Sequence, residues 1–148
     1  MNSKEFIENL QSIRSNSGKM AFLRGMFMEN SSYQRQALVL LAIMNVPVSE
    51  IDIAIPYMAT AYAFAVLKGE TGCSFPIALK KATAENPFDK RFDRMLSCSN
   101  VNALVKQHLP NVISVLKSKN IGINYDTFLN DLINWKSIKN KWIEEYYC

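Results

Sequence analysis

Residues 121–147 read IGINYDTFLNDLINWKSIKNKWIEEYY, and this C-terminal stretch decides the predicted fold. Its apolar side chains recur at helical spacing, and Trp135 and Trp142 stand seven residues apart. Seven residues make about two helical turns, so one continuous helix would place both indoles on the same face. We therefore predict that Tyr125 and the two tryptophans anchor a core between C-terminal helices rather than form an exposed stacking surface.

The rest of the chain shows helical periodicity from end to end. Phe6, Ile7 and Leu10 follow it behind a potential N-cap at Ser3. No alternation of apolar and polar residues is long enough to predict a strand. The 148 residues therefore predict an all-α, compact bundle of about eight or nine helices in one domain, 1–148. A division into two helical lobes, 1–97 and 98–148, stays open at this point.

Prolines predict where these helices begin or bend. Pro56 predicts a broken first turn ahead of an alanine-rich, apolar helix over 57–67, which we place at the centre of the bundle. Asn100 predicts a longer helix that is kinked at Pro110. Two further pairs, each a polar residue followed closely by proline, predict the starts of short helices: Ser74 with Pro76 and Asn86 with Pro87.

Lysine and arginine are concentrated in one segment. The chain carries 17 basic and 13 acidic residues, a net charge of +4. Residues 75–119 hold eight of the basic residues against three acids, a local charge of +5, whereas residues 120–148 hold three against four. Clustering of this kind favours a surface that meets phosphate groups. Each lysine taken alone is better explained by ordinary solvent exposure.

No constellation of catalytic side chains occurs in the sequence. His108 is the only histidine and lies among apolar residues, a position typical of a structural histidine. Cys73, Cys98 and Cys148 lack paired spacing, so we expect neither a disulfide framework nor a zinc site, in keeping with a reducing, cytoplasmic compartment. The N-terminus has no signal-peptide core, and no stretch has the length of a membrane span. We expect no enzymatic activity, no metal and no cofactor.

Several motifs follow one another in a fixed order along the chain. They are Gly18–Arg24, the alanine-rich Ala61–Ala65 followed by Gly72–Phe75, Phe88–Leu96, Leu104–Leu116 with its His-Leu pair, and the C-terminal segment already quoted. In this order they resemble the motifs of the CasB family, the small subunit of the type I-E CRISPR surveillance complex, Cascade. Two positions depart from the family pattern: Gly25 replaces the second arginine of a pair, and Pro110 replaces a basic residue.

The resemblance implies a non-catalytic helical subunit, present in two copies, that bridges neighbouring subunits. It also implies a role in holding the displaced DNA strand and the guide–target hybrid once the R-loop opens. The partners so implied are the backbone and large subunits of Cascade, a second copy of the chain, guide RNA and target DNA, with no membrane.

Candidate nucleic-acid contacts come from two sources. Matching motif positions imply Lys19, Arg24, Lys90, Arg91 and Arg94, and the charge clustering adds Lys80, Lys81 and Lys106. Helical spacing places Arg91 and Arg94 on one face, with Phe92 and Leu96 turned to the core. One alternative is a helical protein–protein adaptor whose basic surface meets an acidic partner. A helix-turn-helix reader over 74–96 is weaker, because that segment lacks side chains suited to reading base edges.

Overall fold

The computed structural model describes residues 2–67 and 69–148 as an all-helical chain, which confirms the predicted fold class. Within these residues there are ten α-helices, and no strand beyond one isolated bridge. The helices are α1 (Ser3–Ser12), α2 (Ser17–Arg24), α3 (Ser32–Ile43), α4 (Ile51–Val66), α5 (Phe75–Ala82), α6 (Arg91–Leu96), α7 (Val101–Gln107), α8 (Leu109–Ser118), α9 (Tyr125–Ile133) and α10 (Trp135–Tyr147). In the part of the chain described, no helix is both long and apolar enough to cross a lipid bilayer.

Polar side chains fix where several helices begin and end. Asn45 and Asn120 adopt left-handed backbone angles, with φ of 67° and 56°, directly after α3 and α8. The N-cap of α1 is one residue earlier than the predicted Ser3. Five side chains accept a hydrogen bond from the backbone N–H three residues further on: Asn2, Asn16, Ser31, Asn100 and Asn124.

Helix α4 forms the centre of the bundle and packs against α2, α7, α8 and α9. The predicted break at Pro56 is wrong, because the helix begins at Ile51 and continues through the proline. Proline removes only one N–H donor from the helical ladder, and burial against four neighbouring helices keeps the helix intact. The Thr60 hydroxyl donates a hydrogen bond of 2.9 Å to the Pro56 carbonyl, which satisfies this buried polar side chain.

The two short helices predicted from polar–proline pairs have different outcomes. Helix α5 begins directly after Ser74, as predicted. No helix starts at Asn86, whose carbonyl instead accepts a hydrogen bond of 3.1 Å from the Asp89 N–H and so closes a turn around Pro87. Helix α6 begins only at Arg91, whose N–H donates to Asp89 Oδ1 at 2.9 Å.

The long helix predicted from Asn100 is divided into α7 and α8. His108 stands between them with φ −125°, and Pro110 occupies the first turn of α8. The predicted kink is therefore a full break, because a proline in the first helical turn is tolerated where the same residue mid-helix would clash with the preceding turn.

The C-terminal aromatic residues form a buried cluster, which confirms the prediction that Tyr125 and the two tryptophans anchor a core. Trp135 and Trp142 both lie on α10 with ring centroids 5.0 Å apart, and they are 3% and 0% exposed. The Trp142 indole lies nearly parallel to the Phe75 ring, with centroids 5.2 Å apart and an angle of 4° between the planes. Phe92 and Phe128 extend the same stack. Residues from α5, α6, α9 and α10 are thereby joined in one core.

Two segments distant in sequence cross closely beside this core. Glu70 and Ile123 form the isolated bridge, and a side chain on Gly122 would collide with the backbone of Gly69. The Tyr125 hydroxyl lies 2.9 Å from the carbonyl oxygens of both Leu67 and Gly69, so its proton is shared between two acceptors. Burial raises the pKa of this hydroxyl to about 12, which keeps it a neutral donor.

Candidate nucleic-acid interface

The most exposed group of predicted contacts lies on α6. Lys90 is the N-cap of this helix, and Arg91 and Arg94 lie three residues apart on it; all three are exposed. Phe92 and Leu96 are buried, which confirms the prediction that they turn to the core while Arg91 and Arg94 lie outside. The outer side also carries the exposed Asp93, between the two arginines.

The charged groups of this helix have no partner within the described chain. Arg91 and Arg94 form their local hydrogen bonds through backbone atoms, to Asp89 Oδ1 and from Ser97 Oγ respectively. Neither guanidinium group donates a hydrogen bond to any other residue among 2–67 and 69–148. Both guanidinium groups are therefore free to donate to the oxygens of an external phosphate.

Lys80 and Lys81, in the last turn of α5, are exposed but already have partners. The Lys80 ammonium donates to the backbone oxygen of Cys148 at 2.6 Å. The Lys81 ammonium lies 3.2 Å from Cys73 Sγ, and this hydrogen bond lowers the pKa of the thiol. An external phosphate would have to compete with both interactions, which makes these two lysines weaker candidates than the arginines of α6.

A second basic group lies at α2. Arg24 is exposed and lines a groove of about 370 Å³ together with Arg14, Ser15 and Ser17, whereas Lys19 is half-buried. The Arg14 guanidinium lies 3.7 Å from the centre of the Phe64 ring and donates to the Phe64 carbonyl at 3.2 Å. Sequence reasoning missed Arg14, because it lies outside the basic segment and the family motifs, and only the fold places it beside Arg24.

Lys106 lies apart from both groups. It is exposed on α7 and lines a groove of about 170 Å³ with Phe27, Glu29 and Gln34. Its surroundings are therefore apolar and acidic as well as basic. The helices that carry the predicted residues have different neighbours. Helix α2 packs against α3 and α4, α6 packs against α8, and α7 packs against α4 and α8.

The structure gives a physical reason for one departure from the family pattern. Gly25 is buried, and a Cβ at this position would lie 2.5 Å from the Cβ of Tyr33. An arginine therefore cannot replace Gly25 without displacing α3, and Arg24 stands alone where the family pattern has a pair.

His108 is half-buried at the break between α7 and α8. In the described residues, no group of three or more histidine, cysteine, aspartate or glutamate side chains is arranged to hold a metal ion.

These features define an all-helical protein with exposed cationic side chains on α2, α5, α6 and α7. A family model described as CRISPR-associated protein Cse2 matches residues 14–147, and the chain therefore belongs to that family, the CasB small subunit of type I-E Cascade. The family is a structural component of a multi-subunit CRISPR complex. Comparisons with curated proteins and with solved structures gave no significant match.

Proposed function

We propose that this subunit stabilises the R-loop of its surveillance complex by contacts to nucleic-acid backbones, without catalysing a reaction. The contacts are made to the displaced strand and to the guide–target hybrid. The observation that carries this proposal is the pair of guanidinium groups of Arg91 and Arg94 on one face of α6, both exposed and without a hydrogen-bond partner among residues 2–67 and 69–148. Lys90 lies beside them, and the exposed Arg24 on α2 is a separate candidate contact.

The energetics of strand exchange explain why such contacts are sufficient. Base pairing with the guide reads the sequence, and the heteroduplex formed is about as stable as the duplex that it replaces. A few arginine–phosphate contacts can therefore shift the balance towards the open state without reading any base. Each contact releases a counterion, so the stabilisation falls as salt rises.

The modest net charge of +4 favours weak binding by the chain alone. We propose that affinity arises in the assembled complex, in the cytoplasm, where the chain contacts backbone and large subunits and a second copy of itself. Tethering in such an array raises the effective concentration of each basic surface next to the guide RNA and the opened DNA.

The test is the double variant Arg91→Glu/Arg94→Glu in the assembled complex, with Lys4→Glu/Arg35→Glu as the control. Both variants change the charge by the same amount, and all four side chains are exposed. We expect the α6 variant to weaken target-DNA binding and to lower the slope of log affinity against log salt by about 2 per copy. The control should bind like the wild type, and both should melt like it. Equal affinities and salt slopes for the wild type and the α6 variant would refute the proposal.

A further inference from the structure

Phe88 differs from every other phenylalanine in this chain. The chain has eight phenylalanines, and the other seven are buried or half-buried. Phe88 is 83% exposed, and its ring takes part in none of the aromatic pairs formed by the described residues. Only four residues later, Phe92 is 1% exposed within the aromatic stack. The fold therefore buries one of two neighbouring aromatic rings and leaves the other in solvent.

The exposed ring is held at the tip of a closed turn. The Asp89 N–H donates to the Asn86 carbonyl at 3.1 Å, which makes Pro87 and Phe88 the two central residues of a β-turn. Proline in the first central position fixes its own φ angle. A preceding turn is closed by the Asn86 N–H and the Thr83 carbonyl at 2.9 Å. The loop thus displays Phe88 on a restrained backbone, which lowers the entropy lost on binding.

The same loop leads directly into the free cationic groups of α6. Phe88 and Arg91 are three residues apart, so their Cα atoms can be separated by at most about 11 Å. Lys90 directly precedes the helix and Arg91 is its first residue, and both are exposed. Asp89, between Phe88 and Lys90, is half-buried and accepts a hydrogen bond from the Arg91 backbone N–H. An exposed aromatic ring beside unpartnered cations is the combination by which proteins bind single-stranded nucleic acid, since bases stack on the ring while phosphates meet the cations.

We propose that Phe88 is a stacking platform for an unpaired base of single-stranded DNA whose phosphates lie on Arg91 and Arg94. This inference rests on the proposed function of the α6 surface and adds a contact to a base of the displaced strand, beyond the contacts to its backbone. A base within a duplex already has both faces stacked on its neighbours, so only an unpaired base offers a face to the ring. A protein partner fits less well, because one phenylalanine buries about 150–250 Å² whereas a standard interface buries about 800 Å² on each side.

The experiment compares two single-stranded probes of equal length and charge. One is an ordinary mixed-sequence oligodeoxynucleotide, and the other is the same backbone with abasic sites throughout. Binding of each probe to the full-length chain is measured at low salt for the wild type, Phe88→Ala, Phe88→Trp and Arg91→Glu/Arg94→Glu. Because Phe88 is exposed, the alanine variant should fold normally, and thermal melting checks this.

We expect Phe88→Ala to weaken binding of the ordinary probe about fivefold or more and to leave binding of the abasic probe unchanged, since stacking on an aromatic ring is worth about 1–3 kcal/mol per base. Phe88→Trp should retain the preference for the ordinary probe, and the double arginine variant should weaken binding of both probes. The inference would be overturned if Phe88→Ala affected both probes equally or affected neither. It would also be overturned if the wild type failed to bind the ordinary probe. So would a Phe88→Ala chain that no longer assembles with its partner subunits yet binds the ordinary probe normally, since that result identifies a protein contact. A loss caused by Phe88→Ala without any loss from the arginine variant would instead count against the proposed phosphate contacts.

Discussion

Asp131 contributes both a buried charge and a hydrogen-bond acceptor to the C-terminal core. Replacement with asparagine removes the charge and keeps an acceptor, whereas replacement with alanine removes both. The residue is 4% exposed, and its Oδ2 accepts a hydrogen bond of 2.8 Å from the indole N–H of Trp142, which is fully buried. Burial raises the pKa of Asp131 above its ordinary value of 3.8. The Trp142 hydrogen bond and the Lys141 charge oppose this rise, and the Glu145 charge adds to it.

Alanine removes the acceptor and leaves a buried indole N–H without a partner. A loss of this kind costs about 1–3 kcal/mol of the free energy of unfolding. For a chain of this length, each kcal/mol corresponds to about 2–4 °C in Tm, so Asp131→Ala should lower Tm by about 2–12 °C. Asparagine keeps an oxygen to accept the indole N–H and has no charge to bury, so Asp131→Asn should be as stable as the wild type or more stable at neutral pH.

The raised pKa also fixes the direction of the pH dependence. The folded state binds this proton more tightly than the unfolded state, so the stabilisation is fully present below the unfolded pKa and is lost as pH rises through the folded pKa. The wild type should therefore lose stability relative to Asp131→Asn as pH rises from about 4 towards neutrality, and the difference should become independent of pH below the unfolded pKa.

Denaturant unfolding, followed by tryptophan fluorescence between pH 3.5 and 7.5, measures these differences. The free energies of the three proteins are compared at each pH, and a surface variant such as Asp126→Asn serves as the control for a general charge effect. An alanine variant as stable as the wild type would show that the indole hydrogen bond contributes nothing. A difference between wild type and Asp131→Asn that stays constant with pH would refute the assignment of the raised pKa to Asp131.

Two further substitutions test close contacts of the fold. Gly25→Arg restores the arginine pair of the family pattern and should lower the free energy of unfolding by about 1–3 kcal/mol, because its Cβ meets Tyr33. Gly25→Ala should have a comparable effect. A wild-type Tm for either variant in thermal unfolding would contradict this contact. Tyr125→Phe removes the donor shared by the Leu67 and Gly69 carbonyls and should lower the free energy of unfolding by about 1 kcal/mol below pH 10. Tyr62 forms no such bond among the described residues, so Tyr62→Phe should lower it less. Equal effects of the two variants in chemical denaturation would show that the Tyr125 hydrogen bonds contribute no more than ordinary packing.

The fold class and the aromatic core were predictable because their signals are local. A heptad-like spacing of Trp135 and Trp142 is meaningful only if one helix carries both, and α10 does so. Errors arose where one local signal competed with another or with packing. Pro56 should break a helix by its own chemistry, but the neighbours of α4 hold the helix together, and Asn86 was a plausible cap whose carbonyl instead closes the turn at Asp89.

The candidate interface was predictable only as a set of charges. Motif positions identified Arg91 and Arg94, and charge clustering added Lys80 and Lys81, but neither signal could show that the two lysines already have partners. Those partners are Cys148, 68 positions away in sequence, and Cys73, across the start of α5, so only the folded chain brings the groups together. The same limitation hid Arg14, which gains a place beside Arg24 through the packing of α2 against α4.

The aromatic core and the proposed basic contacts place different demands on the sequence. The stacked rings of Phe75 and Trp142 depend on short-range contacts, so a change in ring size or position is destabilising and the residue types are restricted. A phosphate contact depends on a Coulomb energy that falls slowly with distance, so an arginine can move by a residue and still act. The aromatic core therefore restricts the residue types of the C-terminal segment, whereas the proposed contacts on α6 depend on the exposure and charge that the folded chain leaves to Arg91 and Arg94.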